Sequence, residues 1–237
     1  MEQVGQDTGP KQGPAGRWRR ALRRGAVALV VLAGLYLFRA PLLRTAATAL
    51  VVDQPRETTA ALLLLSADRG PERAAECYRA GRAGRILLIE EWPGRVVQLG
   101  ILPPREDALR RDLDAAGVPE GAVTVLTGRA KNDWDRGRRL RQWLAENPGA
   151  TVTVLCDRFG SRRLCRIFGA TLGADAARLR WWAPADRRYD ESNWWHCKEG
   201  FVRLFNAGAS LGYVWLKGED REEWRPWEPD SYEASLR

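Results

Sequence analysis

The runs Ala60–Leu65 (AALLLL), Arg85–Ile89 (RILLI) and Thr151–Cys156 (TVTVLC) are apolar, nearly without interruption, over the length of a β-strand. A strand with one face in water alternates apolar and polar residues, whereas a strand covered on both faces reads as a continuous apolar run. Helical patterns follow these runs, among them Asp133–Glu146 and Ser161–Leu172. The sequence therefore predicts an α/β fold: a three-layer α/β/α, Rossmann-like, doubly wound and mostly parallel sheet.

The remaining segments extend the same alternation. Helices are predicted at Pro71–Ala80 and Glu106–Ala116, and strands at Val123–Leu126 and Leu179–Ala183. From about Ser192 a long helix is expected to pack on the sheet through its apolar positions, which are Phe201, Leu204, Phe205, Leu211 and Trp215. No internal repeat and no second globular domain is evident.

The positive charge is confined to one end of the chain. The 237 residues carry a net charge of +8, but eight basic and only two acidic residues lie within the first 44. The rest of the chain is nearly neutral, so it lacks the basic surface by which nucleic-acid-binding proteins are recognised. We therefore expect no nucleic-acid partner.

The basic end precedes an uncharged apolar stretch, Gly25–Phe38 (GAVALVVLAGLYLF). Flanking apolar residues extend it to about the twenty that a bilayer requires. We predict a disordered basic cytoplasmic tail at 1–20, a transmembrane signal-anchor at 21–43, the α/β domain at 51–217 and a loose tail at 218–237. An arginine-rich flank of a membrane-spanning segment stays in the cytoplasm. The protein is therefore predicted to be single-pass in the plasma (inner) membrane, with the bilayer as a partner. The α/β domain is predicted to be exported.

Two alternatives remain for this stretch. A cleaved signal peptide is one, because Ala47-Thr48-Ala49 has the small-x-small form of a cleavage site, although it lies about ten residues beyond the apolar run. The other is a buried core helix, which the arginine cluster disfavours.

Candidate site residues follow the predicted strands, because ligands of open α/β sheets bind outside the carboxyl ends of the strands. An arginine beside a helix N-terminus suits a phosphate or carboxylate group, which favours an anionic small ligand. Asp68, Glu90 and Asp157 could instead hold a divalent cation. In a third alternative, Arg73 and Arg163 form structural ion pairs with these acids and bind no ligand. No metal ligand, cofactor or catalytic residue is assigned, and the candidate ligand-binding residues are Ser66, Asp68, Arg73, Glu90, Asn132, Asp135, Asp157 and Arg163.

Several residue types limit the chemistry. His196 is the only histidine, which excludes multi-histidine metal sites and disfavours a Ser-His-Asp triad. The four cysteines have no C-x-x-C spacing, and Cys77 and Cys156 are predicted to be buried free thiols. Glu90 and Glu91 are expected to point in opposite directions at a strand end. In each of the tryptophan pairs 181–182 and 194–195, one member is expected to face the core.

Four stretches resemble the YdcF/SanA/ElyC-type domain, a bacterial family of poorly defined function. They are PERAAECYRAGRAGRILLIE (71–90), LGILPPREDALRRDLDAAGVP (99–119), KNDWDRGRRLRQWL (131–144) and VTVLCDRFGSRRLCRIF (152–168). The resemblance covers roughly residues 51–217. It implies a Rossmann-like domain on the exported side, an N-terminal anchor and a role in cell-envelope biogenesis or integrity.

The chain departs from the family pattern at the expected site. Ser66-Ala67-Asp68 stand where the family usually has glycines, and Asn132-Asp133 stand in place of the Asn-Thr pair, with Asp135 in the acidic position. Of the family's S-x-x-H-x-x-R, only Arg163 is kept. Three functions therefore stay open: a protein that binds an anionic, nucleotide-like or phosphorylated ligand, an enzyme acting on a phosphorylated envelope precursor through Asp157, and a scaffold without ligand.

Overall fold

A computed structural model describes residues 14–54, 57–66 and 69–218 of the chain. They form two compact units, one up to Ala46 and the other from Ala47 onward. Asp68 and the predicted tail beyond Gly218 lie outside the described residues.

The first unit contains helix α1 (Pro14–Leu37) and most of helix α2 (Arg39–Thr48). Within the described residues, no single helix is both long and apolar enough to span a bilayer. Arg23–Gly34 and Arg39–Thr48 meet the criteria of length and composition only together, across a bend of 55°. The structure thus does not confirm one transmembrane helix over residues 21–43, because arginines occupy the start of α1 and the helix ends at Leu37.

The second unit is the predicted α/β fold. Its strands are β1 (Ala61–Leu64), β2 (Ile86–Glu91), β3 (Val123–Ala130), β4 (Val152–Leu155) and β5 (Leu179–Trp182). They form one sheet in the order β3-β2-β1-β4-β5, and every pair is parallel. Because β2 and β3 lie on one side of β1 and β4 and β5 on the other, the direction of winding reverses between β1 and β4.

Helices cover both faces of this sheet. They are α3 (Gly70–Arg79), α4 (Arg95–Gln98), α5 (Arg105–Ala115), α6 (Asp133–Glu146), α7 (Ser161–Leu172) and α8 (Lys198–Lys217). Short 3₁₀ helices span Glu120–Ala122, Gly173–Arg178 and Trp194–His196. Helices α3 and α5 form an apolar core with one face of the sheet, and helices α6, α7 and α8 form a second apolar core with the other face.

Alternate residues of each central strand enter the two cores, which is why the apolar runs are continuous. Leu63 and Leu87 pair in the sheet and face α6 and α7, whereas Leu62 and Leu64 face α3 and α5. All four are buried. The predicted double-sided burial is confirmed.

Two packing predictions need correction. Trp181 and Trp182 are both buried, on opposite faces, because β5 is covered on both sides as well. On α8, by contrast, Phe201, Phe205 and Trp215 are exposed, and the helix packs inward through Gly200 and Val214 instead.

The cysteine prediction is confirmed. All four cysteines lie among the described residues and none forms a disulfide, and Cys77 on α3 and Cys156 after β4 are both buried.

Replacing Leu87 with Asp should unfold the α/β unit. An unpaired carboxylate at this fully buried position costs about 3 kcal/mol or more. The same carboxylate at Thr127, which is exposed on edge strand β3, should change the free energy of unfolding by less than about 1 kcal/mol. Thermal unfolding of the full chain in detergent, followed by circular dichroism, measures both. Equal melting temperatures for the two variants would contradict the assignment of β2.

Candidate functional site

The reversal between β1 and β4 opens a crevice at the carboxyl edge of the sheet, and Ser66 and Asp157 stand at its base. The backbone N–H groups of Leu65 and Ser66 both donate to the carbonyl oxygen of Leu155, at 2.9 and 3.1 Å. This pairing places Ser66 beside the chain that leaves β4. Its hydroxyl donates to Oδ1 of Asp157 at 2.8 Å. Ser66 is buried, whereas Asp157 is exposed to the crevice.

A cavity of about 490 Å³ lies above this hydrogen bond. Among the described residues, its walls come from α3, the segment after β4, the start of α7, the segment after β5 and one face of α8. Arginine is the most frequent residue in the lining, against two carboxylates, Asp157 and Asp186. The arginines are Arg73, Arg158, Arg163, Arg188 and Arg203.

Ion pairs fix Arg158 at one end of this cavity. Its guanidinium binds the Glu191 carboxylate at 2.7 and 2.8 Å and approaches Asp53 at 3.3 Å. The hydrogen bond to Glu191 raises the pKa of Arg158 above its ordinary value, against the opposing effect of burial. Arg158 is therefore a permanent, positioned positive charge.

Arg163 is held by an ionic chain along the carboxyl edge. Its Nη1 lies 2.5 Å from Oδ2 of the buried Asp133, whose Oδ1 binds Arg136 at 2.6 Å. Arg136 in turn binds Glu91 at 2.7 Å, and Glu91 binds Arg105 at 2.9 Å. Arg163 therefore lines the cavity while it is ion-paired with Asp133 on α6. The ion pair and the position in the lining do not exclude each other.

A glycine on α6 permits the ion pair between Asp133 and Arg163. Gly137 is buried on α6, and a Cβ placed there would lie 3.1 Å from the side chain of Thr171 on α7. A larger residue would push α6 and α7 apart. The close approach of the two helices brings Asp133 to Arg163.

The other arginines of the cavity are held more loosely. The guanidinium of Arg73 donates to the carbonyl oxygen of Ala185 at 3.0 Å, and not to a carboxylate. Arg188 and Arg203 are exposed and lie 3.6 Å from Asp186 and 4.0 Å from Asp157. A partly solvated guanidinium with a weak partner can exchange that partner for a ligand oxygen at little cost.

The predicted site residues divide into two groups. Ser66, Arg73, Asp157 and Arg163 line the cavity, whereas Glu90, Asn132 and Asp135 do not. Asp68 lies outside the described residues.

Asn132 and Asp135 form the cap of α6. Oδ1 of Asn132 accepts the Asp135 N–H at 2.9 Å, and Oδ2 of Asp135 accepts the Lys131 N–H at 2.9 Å. Burial raises the pKa of Asp135, but the bonds from Arg138 and Lys131 outweigh it and leave that pKa below its usual value. Asn132 thus caps α6 through its side-chain oxygen and does not line the cavity, so the structure gives it a role that the sequence analysis did not predict.

Glu90 belongs to a second, smaller cavity of about 320 Å³, which also includes Glu91 and Glu106 in its lining. Glu90 accepts the Gly128 N–H at 2.8 Å and the Arg129 guanidinium at 3.1 Å, and these contacts, the first above all, lower its pKa. Glu90 and Glu91 bind different partners, as expected for adjacent residues at a strand end. Glu90 thus does not share a cavity with Asp157, and no group of three or more potential metal ligands occurs among the described residues.

The cavity lining also contains the thiol of Cys156 and the phenol of Tyr189, and neither group can act as a base at neutral pH. Burial and, after it, the charge of Asp157 raise the pKa of Cys156, and burial also raises the pKa of Tyr189. Both groups are therefore protonated at neutral pH. His196 is absent from this lining and lies in the 3₁₀ helix, where its ring centroid is 5.3 Å from that of Trp195.

The sequence did not point to Arg188, Tyr189 or Arg203, because none of them directly follows the end of a strand. One signal was present on α8. Arg203, Asn206 and Ser210 recur at helical spacing on one face of a segment that is otherwise almost entirely apolar, and all three line the cavity.

Comparisons with protein-family models, curated proteins and solved structures give no significant match to this chain.

Two substitutions test whether Asn132 serves as the cap of α6 or as a ligand-binding residue. Asn132→Ala should lower the free energy of unfolding by about 1 kcal/mol, because the N–H of Asp135 loses its acceptor. Asn132→Asp should keep the stability of the native chain, because Asp caps helices as well as Asn does. Chemical denaturation of the full chain in detergent measures both variants. Unchanged stability in Asn132→Ala would free this residue for a ligand after all.

Proposed function

We propose that this protein binds an anionic small ligand, nucleotide-like or otherwise phosphorylated, at the arginine-lined cavity between β1 and β4. The observation that carries the proposal is the convergence of arginines from five separate segments on one cavity at the reversal of the sheet. Such a reversal is where open α/β sheets bind their ligands.

The charges in the cavity support an anion in particular. Arg158 and Arg163 are preorganised by fixed carboxylates, and Arg73, Arg188 and Arg203 have weak or neutral partners. Planar guanidinium groups match the paired oxygens of phosphates and carboxylates. The positive end of the α7 dipole adds to this potential, although the N–H groups of Ser161 and Arg162 already donate to the carbonyl oxygens of Arg158 and Leu50.

The lining also offers an aromatic surface. The rings of Phe159 and Tyr189 stack with centroids 5.9 Å apart and planes inclined by 20°. Both residues line the cavity. This surface next to the arginines favours a ligand that carries a ring as well as an anionic group.

Binding has more support than catalysis. Ser66 is buried and hydrogen-bonded to Asp157, while Cys156 and Tyr189 are protonated at neutral pH. An enzyme using Asp157 on a phosphorylated precursor therefore has only Asp186, which lies 3.6 Å from Arg188, as a second carboxylate and no imidazole in the described lining. A scaffold without ligand gives no reason for a cavity that is lined by five arginines and only two carboxylates.

We further propose that the chain is a member of the YdcF/SanA/ElyC-type family and works in the cell envelope. The order and spacing of the four resembling stretches support this, as does the parallel sheet. The arginine cluster before Gly25–Phe38 supports membrane anchoring, with the N-terminus in the cytoplasm and the α/β unit on the exported side. The bent helix pair, Arg23–Gly34 with Arg39–Thr48, has the length and composition for such an anchor.

Inorganic pyrophosphate serves as a probe of the cavity. At about one hundred times its dissociation constant it should stabilise the full chain by about 2.7 kcal/mol, or raise the melting temperature by about 5–10 °C. Arg73→Ala should abolish this rise with little effect on the unliganded protein, because Arg73 donates only to a carbonyl oxygen. Differential scanning fluorimetry in detergent, at ionic strength matched with sodium chloride, measures the rise.

The matched control is Arg110→Ala, which removes an exposed arginine on α5, across the sheet. It should keep the full response. A pyrophosphate response that is absent in the native chain, or unchanged in Arg73→Ala, would contradict binding at this cavity.

Topology is tested by reporter fusions after Lys217. A periplasm-active phosphatase should be active there and a cytoplasm-active reporter inactive, because the arginine cluster holds the N-terminus inside. The fusion protein should also remain with membranes after a carbonate wash. The opposite reporter pattern, or release by carbonate, would overturn the proposed anchoring and export.

A further inference from the structure

Helix α8 carries an exposed apolar face. Phe201, Val202, Phe205, Tyr213, Trp215 and Leu216 are each between 44% and 78% exposed. In the interval 201–216, Arg203 is the only charged residue. Soluble surfaces rarely expose so many large apolar side chains on one element, and such a face marks an interaction site.

The faces of α8 are segregated by chemistry. Gly200 and Val214 are buried, and the polar residues Arg203, Asn206 and Ser210 line the arginine-rich cavity. The exposed apolar side chains occupy the remaining part of the helix circumference. This is the pattern of a helix that lies between a polar site and an apolar medium.

An apolar groove of about 770 Å³ borders the exposed face. Ala49, Cys165, Gly208, Leu211, Gly212 and Trp215 line it, together with Arg162 and Arg166. A Cβ at Gly208 or Gly212 would meet no heavy atom within 4 Å, so the described residues leave this side of the helix uncovered. The groove therefore combines a narrow apolar floor with two arginines.

A short segment of chain connects the lining of the groove to the apolar N-terminal stretch. Ala49, in its lining, directly follows α2. As a helix, the ten residues of α2 span about 15 Å. These ten residues are all of the chain that separates the proposed anchor, Gly25–Phe38, from Ala49 in the lining of the groove.

We infer that the exposed face of α8 and the adjoining groove dock on the lipid bilayer at the level of the headgroups. This inference rests on the membrane anchoring proposed above. Trp215 and Tyr213 suit the interface, where tryptophan and tyrosine are enriched, and Phe201, Phe205 and Leu216 enter the acyl boundary. Arg166 is exposed and placed to meet lipid phosphates, whereas Arg162 donates to the carbonyl oxygens of Ala49 and Val51 at 3.1 and 3.0 Å. The bilayer thus covers the apolar face that the protein itself leaves open.

Photocrosslinking of the full chain tests this contact. The chain is reconstituted into vesicles of equal parts phosphatidylcholine and phosphatidylglycerol, with Phe205→p-benzoylphenylalanine as the photoreactive variant. The matched control carries the same residue at Arg110, which is exposed on α5, across the sheet from α8. After irradiation, mass spectrometry should find lipid adducts at position 205 at about ten times the level at position 110.

A second variant checks that the contact depends on apolar character. With the photoreactive residue at Leu216, Phe205→Glu should reduce the lipid adducts several-fold, because a carboxylate is excluded from the acyl boundary and repelled by anionic headgroups. Carbonate retention should stay unchanged in this variant, since the N-terminal helices are intact. Unchanged adducts would contradict docking of this face.

The remaining outcomes each overturn the inference in a recognisable way. Adducts to a second copy of the chain would make the face a dimer interface, and adducts to a peptide from residues 219–237 would make it a site for the chain's own C-terminal segment. A chain that is retained by the membrane but gives equal lipid adducts at both positions refutes docking while leaving the anchoring intact. Release by carbonate refutes the anchoring and the docking together.

Discussion

Strand β1 is apolar on both faces and hydrogen-bonded along both edges, and the arrangement of the α/β unit depends on its central position. Its four residues are buried, and it pairs with β2 on one side and β4 on the other. A strand in this position needs helices on both faces and a neighbour on each edge. The chain therefore winds outward to β3, returns across the sheet and adds β4 next to β1. The crevice between Ser66 and Asp157 is a direct consequence of that return, because the chain leaves the carboxyl ends of these two strands in opposite directions.

Electrostatics at this edge is organised by carboxylates that lie behind the arginines rather than in the cavity. Asp133 is buried between α6 and α7 and holds both Arg136 and Arg163. Glu191 holds Arg158 in the same way at the other end. A buried carboxylate with two guanidinium partners is compensated, and the arginine side chain that it orients keeps a fixed direction without loss of charge. Such preorganisation reduces the entropy lost when an anion binds. It also explains how one arrangement combines structural ion pairs with the proposed ligand site.

Helix α8 joins the two proposals. One face contributes Arg203, Asn206 and Ser210 to the cavity, and the opposite side exposes Phe201 and Trp215. If the apolar face rests on the bilayer, the cavity opens beside the membrane surface, within reach of anionic groups there. Any shift of α8 relative to the sheet would then change the distance between Arg203 and Asp157, which are 4.0 Å apart. The proposed membrane contact and the proposed ligand binding thus involve the same helix without sharing a residue.

The sequence by itself determined the five strands and the main helices of the α/β unit and its parallel sheet, and it indicated the carboxyl edge for the candidate site. Continuous apolar runs and their alternation with helices are local patterns, and the bounds predicted for Asp133–Glu146 and Ser161–Leu172 agree with the structure. Only the tertiary structure decided which strand ends adjoin. The sheet order brought Ser66 to Asp157 and separated both from Glu90, and helix capping removed Asn132 from the candidate set. It also decided that the apolar positions of α8 stay exposed, because helical periodicity identifies an apolar face but not the medium, protein or lipid, that covers it. Contacts between residues far apart in the chain depend on how elements pack, and a single sequence carries no local signal for them.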